Sequence, residues 1–230
     1  MKKVTHTAQQ KAWDAEHKNP SVLVQMDSQA ASSGVEKFFD FLQNNKMPYE
    51  TGVEMGCGKG RNVIWLAKKG IEAVGFDFSP AAIKVAKSRA KGTTAKFIVS
   101  DATKKWPFKS NSFDFGVDCF ASTDIESEIG RRKALKEMIR VLKPGGYLMA
   151  YLHAVGAEFH KHVTKVAPGH EKNSFVRGDG KYEKIFNDAE IKRHFKGLKI
   201  LEKEIIEKST NFGDEKYPNK HYWLVFQKPH

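Results

Sequence analysis

The stretch TGVEMGCGKG, residues 51–60, predicts the end of a buried strand, a glycine-rich turn and the start of a helix. Three alternate positions after the strand, Gly56, Gly58 and Gly60, carry no side chain. A residue without Cβ tolerates positive φ and lets a ligand come close to the main chain. The helix that follows directs its free N–H groups and the positive end of its dipole at the same place. The stretch therefore predicts a ligand site at this turn.

Glu54, at the tip of the strand, favours some ligands over others. Its carboxylate repels a phosphate but accepts hydrogen bonds from hydroxyls or from an ammonium group. The dinucleotide fingerprint G-x-G-x-x-G would need a third glycine at position 61, where the chain has Arg61, and the phosphate loop G-x-x-x-x-G-K-[ST] is absent. The observed pattern, E-x-G-x-G-x-G, thus argues against a phosphate cradle.

Two further strands are expected to end in an acid at the same edge of a sheet. The strand over residues 72–77 ends in Asp77, and the strand over residues 95–100 is followed by Asp101. This edge faces the ligand cleft in doubly wound sheets. Asp77 suits a ribose diol, because one carboxylate can accept from both hydroxyls. Asp101 suits an amino group, with a strand-end cap as the alternative, and Phe78 is a candidate wall for a flat ring.

Alternation of strands and helices continues along the chain. Five later elements are expected: strands over 113–120 and 147–152, a helix over 127–142 that the run KPGG stops, and strands over 198–205 and 221–227. The last two strands are expected to form an antiparallel hairpin, joined by a polar loop through Tyr217 and Pro218. This order predicts an α/β fold, a doubly wound and mainly parallel sheet with helices on both faces.

The two flanks of this core are less regular. Near the N-terminus a short helix is expected to end before Pro20, and Ser33 is the candidate N-cap of a second helix. Trp13 either covers the ligand site as a lid or packs in the interior, and the second role is favoured. Residues 153–182 show only weak periodicity.

Composition narrows the class of protein. The 230 residues fit one α/β domain, and two cysteines are too few for a disulfide scaffold or a zinc cluster. No apolar leader and no run of about 18 apolar residues is present, so a cytoplasmic protein without a membrane partner is expected. The net charge of +12 suggests nucleic acid, but the basic residues are dispersed and are mostly lysine, which makes nucleic acid an alternative partner rather than the favoured one.

Several motifs together resemble the class I S-adenosylmethionine (SAM) dependent methyltransferases. They are VEMGCGKG (53–60), GFD (75–77), FIVSDA (97–102), SFDFGVDCF (112–120) and VLKPGGYL (141–148). The resemblance covers residues 51–152 and implies a Rossmann-like, seven-stranded sheet with the last strand antiparallel. Within the class, the chain is loosely similar to the thiopurine and tellurite-resistance type.

The resemblance also implies which residues contact SAM and its product S-adenosylhomocysteine (SAH). The glycines would cradle the methionine part with Glu54 nearby, and Asp77 would bind the ribose. Phe78 would lie beside the adenine, and Asp101 would accept from its amino group. Asp118 would lie at the methyl-transfer end. The expected cofactor contacts are Glu54, Gly56, Cys57, Gly58, Gly60, Asn62, Asp77, Phe78, Asp101, Ala102 and Asp118.

Two residues are candidates for catalysis. Asp118 would orient or deprotonate the methyl acceptor, or else make only a strand-end hydrogen bond. His153, just past the fifth strand, borders the expected acceptor pocket and is the candidate base. Cys119 is expected to face the core. No metal site is expected, because the histidines at 153, 160, 162 and 170 lack a metal-binding spacing.

The favoured function is methyl transfer from SAM to a small-molecule acceptor by in-line displacement. An RNA or protein methyltransferase is the alternative, although the Pro-Pro run of base-amino methyltransferases is absent after the fourth strand. An NAD(P)-dependent oxidoreductase and a SAM-binding protein without turnover are lesser alternatives. A single domain over 1–230 is expected, monomeric or homodimeric. It would comprise an N-terminal helical lid (1–45), a cofactor-binding core (51–152) and a substrate-side segment with closing strands (153–230).

Overall fold

The computed structural model describes residues 4–19, 27–156, 162, 166–212 and 215–230, so the predictions for Pro20 and His160 lie outside the described residues. The first half contains α1 (His6–Lys18), α2 (Ser33–Asn44), β1 (Thr51–Met55), α3 (Arg61–Lys68), β2 (Glu72–Asp77), α4 (Pro80–Arg89), β3 (Lys96–Val99) and β4 (Phe113–Cys119). The second half contains α5 (Ala121–Asp124), α6 (Glu128–Val141), β5 (Leu142–His153), β6 (Val166–Pro168), β7 (Ser174–Arg177), β8 (Tyr182–Lys184), α7 (Asp188–His194), β9 (Lys199–Phe212) and β10 (Glu215–Gln227).

Seven strands form one sheet in the order β3-β2-β1-β4-β5-β10-β9. Neighbours run parallel except at β10, which is antiparallel to both β5 and β9. The predicted doubly wound sheet with its last strand antiparallel is confirmed. Met55 of β1 lies beside Phe76 of β2 and beside Asp118 of β4, so the carboxyl ends of the central strands are level with one another.

Helices cover both faces of this sheet, as predicted. On one face α2, α3 and α4 contribute buried residues such as Phe38, Val63 and Ile83. On the other face α6 and α7 contribute Met138 and Ile191. None of the helices in the described ranges is long and apolar enough to cross a membrane.

Most helix ends follow the local sequence. Gly70, with φ +87°, follows the end of α3, and the Ser79 hydroxyl accepts from the Ala82 N–H at the start of α4. The prediction for α2 was wrong by one residue, because Ser33 already belongs to the helix and Ser32 is the N-cap.

Two connections differ from the predictions. The run KPGG does not separate α6 from a strand, because β5 begins at Leu142. Tyr217 and Pro218 lie inside β10 instead of forming a polar loop. Pro218 is tolerated there because β10 pairs only with β9 at this point, the pairing with β5 beginning at His221, so one side of the strand needs no N–H donor.

A second sheet, with strand order β6-β7-β8, lies in the segment where periodicity is weak. Beside Phe175 and Tyr182, its buried positions carry the charged residues Arg177, Glu183 and Lys184, and the buried Lys181 comes just before β8. An apolar pattern therefore never arises, which is why the sequence did not predict these strands.

Gly60→Ala is expected to destabilise the chain more than Gly70→Ala. Both glycines have positive φ, +84° and +87°, but a Cβ at Gly60 would lie 2.7 Å from Phe97 Cζ, whereas at Gly70 it would meet nothing within 4 Å. The left-handed backbone costs each variant about 1–2 kcal/mol, and overpacking adds about 1–3 kcal/mol at Gly60 alone. Urea unfolding measures both values. Equal losses would contradict the assigned role of Phe97.

Candidate functional site

A cavity of about 430 Å³ lies at the carboxyl ends of the central strands, and this volume is typical of small-ligand sites. Most residues that the sequence predicted for the site line it: Glu54, Gly56, Cys57, Gly58, Asn62, Asp77, Phe78, Asp101, Ala102 and His153. Gly60 and Asp118 are not among the lining residues. The fold therefore brings to one place side chains that are up to about a hundred residues apart in the chain.

The glycine turn follows β1 and is tied to β2. The Cys57 N–H donates to the Phe76 carbonyl at 3.0 Å, and the Gly58 N–H donates to Asp77 Oδ2 at 3.0 Å. Gly56 and Gly58 have positive φ and line the cavity. Gly60 does not line the cavity, and Phe97 fills the space where its Cβ would lie, so its part in the cradle stays a prediction.

Glu54 is buried at the floor of the cavity. Its Oε1 accepts from Asn62 Nδ2 at 2.6 Å, and Asn62 Oδ1 in turn accepts from the Ser32 N–H at 2.8 Å. Its Oε2 is also buried but has no hydrogen-bond partner among the described residues. Burial raises the pKa of Glu54 to about 7. A buried carboxylate oxygen in this situation needs a donor, and a cationic ligand group in the cavity would supply one.

Asp77 is buried between the turn and α4. Besides accepting from Gly58, it accepts at Oδ1 from the Ser79 N–H at 2.8 Å. Burial raises the pKa of Asp77, and the nearby His17 opposes that rise. Each carboxylate oxygen has two acceptor positions, so one on each remains for a pair of ligand hydroxyls.

His6 and Glu126 join Asp101 at one end of the cavity, and the sequence did not predict either of them. Asp101 Oδ1 accepts from both the N–H and the hydroxyl of Thr103 at 2.8 Å, so the strand-end cap is present. His6 lies between the two carboxylates, with Nε2 2.9 Å from Asp101 Oδ2 and Nδ1 3.1 Å from Glu126 Oε1. Phe78 is nearby, its ring centroid 6.0 Å from that of His6.

Helix α1 lies over the cavity and contributes His6, Trp13 and His17 to its lining. Asp14 holds the helix against α4 by accepting from the Ser79 hydroxyl at 2.6 Å. Trp13 is both buried and part of the lining, so its two predicted roles are not exclusive. Positions 6, 9, 13, 16 and 17 lie on one side of the helix, and this recurrence of polar and aromatic residues is the signal that could have revealed the contact.

The opposite end of the cavity is lined by four rings, which we call the ring chamber: Phe120, Tyr151, His153 and His221. The Phe120 ring stacks on His153 with 4.6 Å between centroids and lies 4.7 Å from Tyr151 and 5.2 Å from His221. The two imidazole centroids are 5.1 Å apart. Only His153 was predicted for the site. His221 was missed because it comes from β10, far along the chain.

Asp118 and Cys119 lie at the end of β4. Cys119 packs partly against the core, as expected, but it also lines the cavity, because β4 ends at that residue. Burial raises the pKa of the Cys119 thiol to about 12, which disfavours a thiolate nucleophile. Asp118 is buried and accepts from the Ser122 N–H at 3.0 Å. That strand-end hydrogen bond is present, and a catalytic role for Asp118 stays a prediction.

Comparison with known sequences matches residues 53–150 to the family described as Methyltransferase domain. The demethylmenaquinone methyltransferase of Paenarthrobacter aurescens (strain TC1) is 38% identical over 97 residues, which are 42% of this chain and 36% of the relative. The tRNA N(3)-methylcytidine methyltransferase Mettl2 of Drosophila melanogaster is 29% identical over 162 residues, 66% of this chain and 49% of the relative. The chain spans about a third to a half of the length of these curated relatives.

Solved structures with the same fold can be superimposed on most of the chain. A SAM-dependent methyltransferase from Methanosarcina mazei is 25% identical with a TM-score of 0.67, over 82% of this chain and 97% of that chain. The N-methyltransferase NodS from Bradyrhizobium japonicum WM9, solved in complex with SAH, has a TM-score of 0.66 over 97% of this chain and 100% of that chain. At 18% identity, NodS supports the fold alone.

Glu54→Gln is expected to change how stability depends on pH. The folded pKa of about 7 lies above the usual 4.5, so the folded chain holds a proton that the unfolded chain releases, and stability falls as pH rises through this window. Between pH 5 and pH 8 this lowers the free energy of unfolding by about 2–3 kcal/mol, and the variant is expected not to show that loss. Urea unfolding of both proteins at the two pH values, without ligand, measures it.

Asp114→Asn is the matched control for this prediction. Asp114 is also a buried strand acid, but a salt bridge and hydrogen bonds from Lys143 and Thr51 outweigh burial and lower its pKa. Its replacement is therefore expected to cost more stability at pH 8 than at low pH. The same pH dependence in both variants would contradict the account of Glu54.

Proposed function

We propose that this chain, which belongs to the class I SAM-dependent methyltransferase family, transfers a methyl group from SAM to a small-molecule acceptor. The observation that carries the proposal is Glu54, a buried carboxylate that lines the same cavity as the glycine turn and Asp77 and whose Oε2 lacks a donor in the described residues. Glu54 suits an ammonium group, the glycine turn suits a ligand in close contact with the main chain, and Asp77 suits a ribose diol. A phosphate would be repelled by both carboxylates.

Bound SAM would supply a methyl group on a sulfonium, which is already a good leaving group. The chain's own part is then to align the acceptor and keep water out. Glu54 would accept from the ammonium of the cofactor and Asp77 from its ribose. Phe78 would lie against the adenine, with Asp101 and the main chain at Ala102 beside it.

A small molecule is the favoured acceptor because of the ring chamber. Phe120, Tyr151, His153 and His221 offer flat, mostly buried surfaces that suit an aromatic or heteroaromatic compound. His153 is the candidate base for an acceptor that loses a proton. A cytoplasmic location and a monomeric or dimeric state stay predictions.

RNA is the second candidate acceptor, and two observations favour it. The net charge is +12, and the Drosophila melanogaster relative is named for a tRNA substrate. Retention on an RNA column separates the two proposals, because binding that neutralises several phosphates weakens steeply with salt. Retention that is weak and changes little between about 50 and about 200 mM salt would favour the small molecule.

Thermal unfolding with SAM, SAH or NADH tests the cofactor assignment. A ligand present at about 100 times its dissociation constant adds about 2.7 kcal/mol to stability. Stabilisation by SAM and SAH but not by NADH is the expected result. Stabilisation by NADH alone would favour an oxidoreductase and overturn the proposal. Binding of SAM without methylation of any compound in an acceptor screen would favour a SAM-binding protein without turnover.

Asp77→Asn is expected to weaken SAH binding about tenfold or more, because the amide loses the charge that strengthens hydrogen bonds from the ribose hydroxyls. Asp114→Asn is the matched control. Asp114 lies near the start of β4, at the end of the strand away from the cavity, and accepts from the Thr51 N–H. Calorimetric titration of both variants with SAH measures the two affinities. Unchanged affinity in Asp77→Asn would remove Asp77 from the site.

A further inference from the structure

The first turn of α1 meets the cavity at Asp101. His6 is the first residue of the helix, and the Thr5 hydroxyl caps this turn by accepting from the Ala8 N–H at 3.2 Å. The His6 ring lies between two carboxylates, with Nε2 2.9 Å from Asp101 Oδ2 and Nδ1 3.1 Å from Glu126 Oε1. All three of these side chains line the cavity. A ring from the start of the chain therefore meets the acid that follows β3.

The hydrogen bonds to Asp101 leave one acceptor position for a ligand. Oδ1 accepts from both the N–H and the hydroxyl of Thr103 at 2.8 Å, and each carboxylate oxygen has two acceptor positions, so Oδ1 is filled. Among the described residues, Oδ2 accepts from His6 alone and keeps its second position. The Asp101 side chain is 22% exposed and lines the cavity, which lets a donor on a ligand reach that position.

His6 fixes the direction of this remaining position. Thr103 holds one oxygen of Asp101, and without His6 the other oxygen would have no partner among the described residues. The bond to Asp101 needs a proton on Nε2 only. Glu126 favours a second proton on Nδ1, which makes the ring a charged and therefore stronger donor. A carboxylate held at both oxygens presents its last acceptor position in one direction.

Other residues hold α1 in place, so His6 is not needed to dock the helix. Asp14 accepts from the Ser79 hydroxyl at 2.6 Å, which fastens the helix to α4. Gln9 donates to the Gly180 carbonyl at 2.9 Å, which fastens it to the turn between β7 and β8. Because these bonds place α1 independently of His6, an effect of His6 on Asp101 can be separated from an effect on the position of the helix.

We propose that His6 is a positioning residue that makes the cofactor site selective for adenine, because it holds Asp101 with its remaining acceptor position toward the amino group of the base. This inference rests on the proposed function and goes beyond it by naming the side chain that fixes the choice of base. Hypoxanthine carries an oxygen where adenine carries the amino group, and beside that oxygen a ring N–H. A fixed carboxylate would face the oxygen, whereas a mobile one could turn to the N–H.

Calorimetric titration with SAH and with S-inosylhomocysteine, which carries hypoxanthine in place of adenine, measures this selectivity as the ratio of two dissociation constants. The unmodified chain is expected to bind SAH about tenfold or more tightly than S-inosylhomocysteine, because a donor is replaced by an oxygen that faces the carboxylate. His6→Ala is expected to reduce that ratio about threefold or more. In an Asp101→Ala background the same change is expected to leave the ratio unaltered, because His6 acts through Asp101.

Asp14→Ala is the matched control. Asp14 lies on the same helix, fastens it to α4 and does not line the cavity. Its replacement loosens α1 without freeing Asp101, so both ligands are expected to bind more weakly by the same factor and the ratio to stay as it is. His6→Ala would give this result if His6 served only to dock the helix, and an unchanged ratio in His6→Ala would therefore overturn the inference.

The same titrations separate this inference from the proposed function. Failure of the unmodified chain to bind SAH would overturn the proposed function and the inference with it. Binding of both ligands with equal affinity, or an equal fall of the ratio with and without Asp101, would overturn only the role of His6. If His6→Ala does not fold, His6→Leu fills the space with an apolar side chain, and the same reduction of the ratio is expected, with an unchanged ratio again overturning the inference.

Discussion

The buried carboxylate of Glu54 connects the elements on which the site depends. Glu54 is the last residue but one of β1. Asn62 in the first turn of α3 donates to it, and the same amide accepts from the Ser32 N–H at the N-cap of α2. A polar network in the interior is stable only when its members are satisfied. One oxygen of Glu54 has no donor among the described residues, and a donor group on a ligand would complete the network. The same residue thus connects the fold to its ligand.

Residues with left-handed backbone line the cavity near this carboxylate. Gly56 and Gly58 have left-handed backbone, and Phe120, which also lines the cavity, has φ +69° without being a glycine. Such conformations cost free energy and persist where the surrounding structure enforces them, often at functional sites. The strands between them form an ordinary parallel ladder, which fixes the distance between the glycine turn and the ring chamber.

The sequence predicted the half of the cavity lining around the glycine turn because its signals are local. Each strand has its own apolar period, and the acids Glu54, Asp77 and Asp101 come at strand ends that a parallel sheet brings to one edge. The other half depends on contacts across the chain. His6 meets Asp101 from α1, and His221 meets His153 from β10. No spacing in the sequence encodes such pairs.

The small sheet shows a second reason why prediction failed. Its interior is ionic, so Arg177, Lys181 and Glu183 give the pattern of a solvent-exposed segment although all three are buried. A charged residue in a sequence usually indicates a solvent-exposed position, but this holds only where charges are not paired with one another. Gly60 shows a related limit of prediction from sequence. A glycine that makes room for a neighbouring side chain such as Phe97 cannot be distinguished in the sequence from one that makes room for a ligand.

We propose that Glu54 completes its hydrogen bonding with the ammonium group of a SAM-type cofactor. Calorimetry with SAH and with an analogue that lacks only the α-amino group tests it, on the unmodified chain and on Glu54→Gln. The account predicts that removing the amino group weakens binding to the unmodified chain about tenfold or more, and that this penalty is much smaller in the variant. The same penalty in both proteins would contradict it.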